Sequence, residues 1–206
     1  MKYSSFLFSI CLFATFVYLL VLFNYGYESN HKIAGFLLGL FQIETKINAC
    51  ILILTRNSDL SKITELIQQF EKIFNKKQSY PYVLFNDEPF TNEFKYHFTT
   101  LTNASVDFEL IDKSQWSVPE WINAEKLNAS LRKIKFSLSY RFMCRFFSGF
   151  FFRQNSTLKY DYYMRLDTDS RFCQPLEQDP FRTLVNLNKT YGYIVSDLEA
   201  IDTIGE

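Results

Sequence analysis

Two aspartates, Asp167 and Asp169, are the residues of this chain best placed to do chemistry. They follow an aromatic and apolar run, Tyr162 to Leu166, which predicts a buried strand. Because residues i and i+2 of a strand share a face, both carboxylates can converge on one hard cation. Mg²⁺ and Mn²⁺ are typically held by one or two carboxylates, with water and phosphate completing the shell. The spacing therefore indicates a metal site that neutralises a diphosphate, although the same pattern also occurs in plain polar turns.

Segments with strand and helix patterns alternate before this site. Continuous apolar runs predict strands, and apolar residues at 3.6-residue spacing predict helices between them. The predicted elements are a strand over 50–55, a helix capped by Asn57 or Ser58 and ending near Asn75, a strand over 82–85, a helix over about 91–101 and a strand over 106–111. This alternation predicts an α/β fold, with a mostly parallel sheet flanked by helices.

A second group of elements leads to the acidic pair. A loop over 116–121 precedes a polar helix over 124–134, and Ser139 opens a further helix. One face of that last helix and its extension is predicted to lie in the core and carries Met143, Phe146, Phe147, Phe150 and Phe151. Arg141 and Arg145 share another face because they are four residues apart.

Several polar side chains follow the predicted strands directly. Ligands of open α/β sheets bind beyond the carboxyl ends of the strands, where Arg56, Asp87 and the acidic pair are expected to converge. Arg56 suits a phosphate or a ribose, or else a surface ion pair. Asp87 suits a ribose or a base, or else caps a turn. Tyr140 suits stacking on a nucleotide, or else lies in the core.

The composition bounds the class of protein. The chain has 206 residues, of which 48% are hydrophobic and 18% aromatic, so one ordered domain with a sizeable core is expected. The formal net charge is zero and no basic stripe is present. A nucleic-acid partner is therefore not expected.

The N-terminus has the pattern of a membrane anchor. Residues 6–23 form an apolar run that as a helix is about 27 Å long, enough to cross a bilayer. A cleaved signal peptide is the alternative, but no small-x-small cleavage site follows the run. Lys2 is the charged residue in the short segment before the run, and positive charge stays on the cytosolic side of a membrane. We therefore expect a cytosolic tail over 1–5, a type II signal anchor over 6–23, a stem over 24–47 and a lumenal domain over 48–206.

Four sequons agree with a lumenal domain, and their acceptors are Asn103, Asn128, Asn155 and Asn188. The lumen also permits disulfides. Cys144 and Cys173 flank the central block and are candidates for a pair, which leaves Cys50 free; the connectivity cannot be deduced from the sequence.

The block from Tyr140 to Cys173 resembles the fungal-type Golgi α-1,2-mannosyltransferases of glycosyltransferase family 15. The matching positions are Tyr140, Arg141, Met143, Cys144, Arg145, Phe146, Ser148, Gly149, Phe150, Phe151 and Phe152. Other segments match in the same order, over 54–57, 82–90 and 116–121. The resemblance runs from about Asn48 to Thr190.

This resemblance implies a GT-A fold, GDP-mannose as donor, Mn²⁺ as cofactor and retaining transfer to a mannose-terminated glycan on a glycoprotein in the Golgi. It assigns Arg56 and Tyr140 to the donor site and Asp167 to the metal. The spacing of the two acids adds Asp169 as a second metal ligand. Asp87 and Arg145 are predicted to join the donor site.

The chain departs from the family pattern in two respects. The family turn begins Glu-Pro, whereas this chain has Asp167-Thr168-Asp169, so the ion is expected closer to the strand or shared by both acids. The family's catalytic glutamate and histidine metal ligand lie further along, so catalytic residues are expected beyond Glu206. We therefore expect an N-terminal portion that does not transfer mannose alone. The alternative is a non-catalytic, truncated lumenal paralogue that binds a nucleotide-sugar or a partner enzyme.

Overall fold

The computed structural model of the chain describes residues 46–133, 136–193 and 195–196. The chain divides into two units, Met1–Lys46 and Ile47–Glu206, and the fold below is that of the second. The predicted tail over 1–5, the anchor over 6–23 and nearly all of the stem over 24–47 lie outside the described residues. Within the residues described, no helix has the length and apolar character needed to span a bilayer.

The second unit alternates strands and helices, as the sequence predicts. Its described residues form four strands, β1 (Ala49–Leu54), β2 (Tyr82–Asn86), β3 (Val106–Leu110) and β4 (Tyr162–Leu166). The helices are α1 (Leu60–Phe70), α2 (Asn92–Thr100), α3 (Ala124–Lys133), α4 (Leu138–Gly149) and α5 (Pro180–Asn186). Short 3₁₀ turns occur at Asn57–Asp59 and Phe151–Arg153, and α1 continues through a π-helical turn, Glu71–Asn75, to Gln78.

The four strands form one parallel sheet in the order β3-β2-β1-β4. The central strand β1 is paired on both sides, since Ile51 aligns with Tyr82 of β2 and with Met164 of β4. Its first five residues are buried, which explains why its sequence is a continuous apolar run rather than an alternating one. The predicted parallel α/β fold is confirmed.

Helices cover the two faces of the sheet unequally. We call the cluster beneath α1 and α2 the large core, whose buried members are Ala49, Ile51, Ile53, Ile63, Leu66, Ile67, Phe70, Phe74, Tyr80, Tyr82, Leu84, Phe90, Phe94, Phe98, Leu166 and Phe181. We call the cluster beneath α4 the small core, whose buried members are Cys50, Leu52, Val83, Phe85, Ile111, Phe146 and Phe151. Alternate residues of the same strands supply the two clusters, as the pleat requires.

Two expectations about burial are wrong in part. Strand β4 is an edge strand among the described residues, and its Tyr163 is 48% exposed, because only β1 pairs with it. Of the five apolar residues expected in the core on and after α4, only Phe146 and Phe151 are buried. Phe147 and Phe150 pack against the small core but stay partly exposed.

Helix α4 begins at Leu138, one residue before the predicted Ser139. The Ser137 hydroxyl caps it by accepting from the Tyr140 N–H.

The expected cap of α1 is also wrong. Neither Asn57 nor Ser58 caps the helix, because both lie within the 3₁₀ turn that precedes it. The Asn57 side chain instead joins two loops: Nδ2 donates to the Pro89 carbonyl and Oδ1 accepts from the Thr91 N–H, both at 3.0 Å. The loops that follow β1 and β2 are thereby held together.

The suggested disulfide between Cys144 and Cys173 is absent, since both cysteines are free and exposed. Cys144 lies on α4, which packs on the small-core face. Cys173 follows Phe172, whose ring stacks on Phe70 at 5.2 Å in the large core. The two cysteines therefore belong to elements that pack on different faces of the sheet.

Candidate functional site

A cavity of about 470 Å³ lies at the carboxyl edge of β1, β2 and β4. Five of the predicted site residues line it, namely Arg56, Asp87, Tyr140, Asp167 and Asp169. The predicted convergence at the strand ends therefore occurs in the structure. A volume of this size suits a ligand as large as a nucleotide.

Arg56 and Asp87 are positioned by the ends of neighbouring strands. The Thr55 N–H donates to the Phe85 carbonyl at 3.0 Å, so the pairing of β1 with β2 extends to the residue before Arg56. Asp87 directly follows the last residue of β2. With Asn57 joining the two loops, both side chains project from a fixed edge rather than from a free loop.

Asp167 is fixed by its neighbour on the same strand face. The Arg165 Nε donates to Asp167 Oδ1 at 2.8 Å, and the Arg165 guanidinium lies 4.0 Å from the centre of the Phe147 ring. The Asp167 side chain nevertheless remains 53% exposed, so it is accessible from the cavity. Arg165 is a site residue that the sequence analysis missed; its spacing of two residues from Asp167 was the available signal.

The two acids fit a hard divalent cation that has few protein ligands. Asp167 Oδ2 and the Asp169 carboxylate have no hydrogen-bond donor among the described residues. No cluster of three or more His, Cys, Asp or Glu side chains suited to a metal occurs in the part of the chain that is described. Mg²⁺ and Mn²⁺ bind through one or two carboxylates plus phosphate and water, so two carboxylates beside a nucleotide-sized cavity match them.

Tyr140 lies at the mouth of the cavity rather than in the core. It occupies the first turn of α4 and is 42% exposed, so the core alternative is wrong. Its ring stacks on Phe136, with centroids 4.5 Å apart and planes 16° apart. The pair forms an aromatic platform beside Ser137 and Ser139, which also line the cavity.

Arg145 does not line the cavity, in contrast to the prediction. Its Nη1 donates to three backbone carbonyls of the loop that precedes α3, at 3.1 to 3.3 Å. Since Nη1 is bound to this loop and Arg145 is not among the residues that line the cavity, its predicted contact with the sugar nucleotide is not supported.

Three more residues lining the cavity were missed: Lys62, Asn86 and Trp116. Lys62 is in the first turn of α1, and its Nζ lies 3.8 Å from Asp59 Oδ1. Asn86 is only 2% exposed, and its Nδ2 has no hydrogen-bond partner among the described residues. A polar residue that ends a buried strand was the signal for Asn86.

The four sequon asparagines, Asn103, Asn128, Asn155 and Asn188, are all exposed. Their glycosylation stays a prediction.

Solved structures of fungal mannosyltransferases share this fold. Core-mannan synthase A of Aspergillus fumigatus, solved in a Mn/GDP form, has a TM-score of 0.66 and 34% identity, covering 71% of this chain and 41% of its own. The mannosyltransferase Ktr4p of S. cerevisiae in complex with GDP also has a TM-score of 0.66 and 34% identity, covering 70% and 39%.

The chain belongs to the family described as glycolipid 2-alpha-mannosyltransferase, which its residues 26–206 match. Glycolipid 2-alpha-mannosyltransferase 1 of Candida albicans is 40% identical over 171 residues, which is 80% of this chain and 40% of the relative. O-glycoside alpha-1,2-mannosyltransferase homolog 2 of Schizosaccharomyces pombe is 37% identical over 164 residues, 76% and 44% respectively. The chain thus spans less than half the length of these relatives. The family resemblance predicted from the central block is confirmed.

Proposed function

We propose that this chain forms the GDP-mannose-binding part of a GT-A-type mannosyltransferase. The observation that carries the proposal is the single cavity that gathers Arg56, Asp87, Tyr140, Asp167 and Asp169 at the carboxyl edge of the sheet. Support comes from two structural neighbours, both mannosyltransferases crystallised with GDP, one of them with Mn.

Each residue has a role that suits its chemistry. The Arg56 guanidinium offers a planar fork of donors to the diphosphate. The Asp87 carboxylate accepts from ribose hydroxyls or base N–H groups. The exposed Tyr140 ring offers a face for stacking, with Phe136 supporting it from behind.

The charges around the cavity favour a diphosphate bound together with a cation. Asp167 and Asp169 would hold Mn²⁺, and a bound ion would neutralise the diphosphate leaving group. Arg56, Lys62 and Arg165 add positive charge around the same space. Arg165 also orients Asp167 through the 2.8 Å contact, so the carboxylate is already ordered before an ion binds.

We further propose the type of reaction and the cellular location of the protein. The transfer forms an α-1,2 linkage, with retention, to a mannose-terminated glycan on a glycoprotein; the names of the relatives support the linkage. The apolar run over 6–23 and the four sequons support a type II protein of the Golgi membrane. Expressed in a secretory host, the chain should lose mass on endoglycosidase treatment and stay in the membrane pellet at high pH; release with a shortened N-terminus would refute this placement.

The donor site is tested by Asp167→Asn, which removes one negative charge with little change in shape. In the full 206-residue chain, the substitution should weaken Mn²⁺-dependent GDP binding by about 10- to 100-fold, because a neutral amide is a poor ligand for a hard cation. Titration calorimetry with GDP, with and without Mn²⁺, measures the effect.

Asp161→Asn is the matched control, since Asp161 precedes the opposite end of β4 and contacts Asn48 instead. It should leave GDP binding unchanged. The assignment fails if Asp167→Asn binds GDP with its metal dependence intact.

A further inference from the structure

One side chain of α4, Arg145, binds the backbone of the loop before α3 at three points. Arg145 Nη1 donates to the carbonyls of Ser114, Gln115 and Ser117 at 3.2, 3.3 and 3.1 Å. The guanidinium carbon also lies 4.8 Å from the centre of the Phe150 ring, which fixes the side chain from its own helix. Charge-assisted hydrogen bonds of this kind are stronger than neutral ones.

The three carbonyls bracket one residue, Trp116. Two of them, from Gln115 and Ser117, belong to its neighbours in the chain on either side. The loop also has its own turns, in which the Gln115 and Trp116 N–H groups donate to the Asp112 and Lys113 carbonyls at 2.9 and 3.2 Å, and Gln154 Nε2 donates to Gln115 Oε1 at 2.8 Å. The Arg145 bonds add contacts to the backbone on both sides of Trp116. Arg145 therefore constrains the backbone at the point from which the indole projects.

Trp116 in turn forms part of the cavity wall. It lines the cavity, and its ring centroid lies 6.1 Å from those of Phe142 and Phe146 on α4. The indole is thus placed between the helix and the open space at the strand ends. A shift of the loop would move it relative to a bound ligand.

We propose that Arg145 is a positioning residue: it holds Trp116 as a wall of the cavity, and through Trp116 it sets the affinity for the nucleotide. The second half of this inference rests on the proposed donor site. The first half concerns the protein without ligand and can be tested separately.

The two tryptophans of the chain give a direct readout. Trp121 is 83% exposed, so Trp121→Phe leaves Trp116 as the single fluorophore at small structural cost. In this background Arg145→Met removes the donors but keeps most of the length of the side chain. We expect acrylamide to quench Trp116 more strongly in this variant. We also expect Mn²⁺-dependent GDP affinity to fall by about tenfold, a typical effect of removing a residue that orients the groups of a site.

Arg145→Lys keeps a cation that can reach the carbonyls, so it should restore part of both values and remains informative if Arg145→Met folds poorly. Arg153→Met is the matched control: Arg153 also lies over an aromatic ring, Phe152 at 5.4 Å, but not beside the cavity. The control should change neither the quenching nor the affinity.

A double-mutant cycle shows whether Arg145 acts through Trp116. In a Trp116→Ala background, calorimetry should find that Arg145→Met changes GDP affinity by less than about twofold, since the residue it positions is gone. The proposal is overturned if Arg145→Met leaves the quenching of Trp116 unchanged. It is also overturned if Arg145→Met still lowers GDP affinity by the full factor of about ten when Trp116 is already alanine. If the parent protein bound no GDP, the proposed function would fail, while the quenching would still decide whether Arg145 holds Trp116.

Discussion

The two faces of the sheet differ in how completely they are covered. Among the residues that the structure describes, sixteen buried ones form the large core beneath α1 and α2, whereas seven form the small core beneath α4. The same strands supply both, so strand composition does not explain the difference. The difference in size between the two cores reflects how much of each sheet face the helices cover.

The outer strands show where the small core ends. On β3, Val106 and Phe108 pack against the large core, while Asp107 on the other face pairs with Lys159 at 2.6 Å. On β4, the exposed Tyr163 and Arg165 lie on the small-core face. The half-covered face is the one that supplies Trp116, Tyr140 and Met143 to the cavity. The face with the large core therefore mainly stabilises the fold, while the face with the small core leaves side chains accessible to a ligand.

The strongest test of this division compares two phenylalanines that are both 0% exposed. Phe70 lies in the large core and Phe146 in the small core, where its ring is 6.1 Å from that of Trp116. Each change to alanine should lower the free energy of unfolding by about 3–5 kcal/mol. Only Phe146→Ala should also weaken GDP binding by the folded protein, because only it loosens the cavity wall.

Urea denaturation measures the stability of each variant, and calorimetry below the unfolding temperature measures the affinity. Phe152→Ala is the control, because Phe152 is 44% exposed and should cost little in either measurement. Equal losses of GDP affinity in Phe70→Ala and Phe146→Ala would contradict the division between the faces.

A smaller effect is expected at alkaline pH, with a contribution from each core. In the small core, burial raises the pKa of the Cys50 thiol from 9.0 to about 12. In the large core, burial and the 2.7 Å hydrogen bond to Glu71 raise the pKa of Tyr82 above its ordinary value. Both groups keep their protons in the folded state at pH values where the unfolded chain loses them. Stability should therefore fall as pH rises above about 9, by about 1.4 kcal/mol per pH unit for each such group.

Denaturant titrations from about pH 8 to about pH 11 test this slope. Cys50→Ala should remove the part that begins near pH 9, and Tyr82→Phe should reduce the part above about pH 10, where free tyrosine ionises. A free energy of unfolding that stays constant over this range would refute both contributions.

Much of the fold could be predicted because it depends on local pattern. The apolar run over 50–55 and the segment over 162–166 gave strands that coincide closely with β1 and β4. Burial on both faces leaves an unambiguous pattern in β1. The short helix α5 was missed because seven residues carry little periodicity.

The site was predictable only as far as strand ends determine it. Arg56, Asp87 and the acidic pair follow their strands directly, so element order placed them together. Arg145 was misassigned because its partners are backbone carbonyls about 30 residues away, which leave no side-chain pattern. The burial of Asn86 Nδ2 without a partner also depends on packing rather than on sequence.

The pairing of β1 with β4 has a consequence for synthesis on the ribosome. Asn48, just before β1, contacts Asp161, just before β4, across a separation of 113 residues. Synthesis adds about 5–20 residues per second, so β4 is made roughly 6–23 s after β1. During this time the N–H and C=O groups along one edge of β1 are unpaired. Because such non-local pairing also folds slowly, the nascent chain needs protection from other chains during that interval. Slower translation between β3 and β4 would lengthen the period in which this edge is open to aggregation.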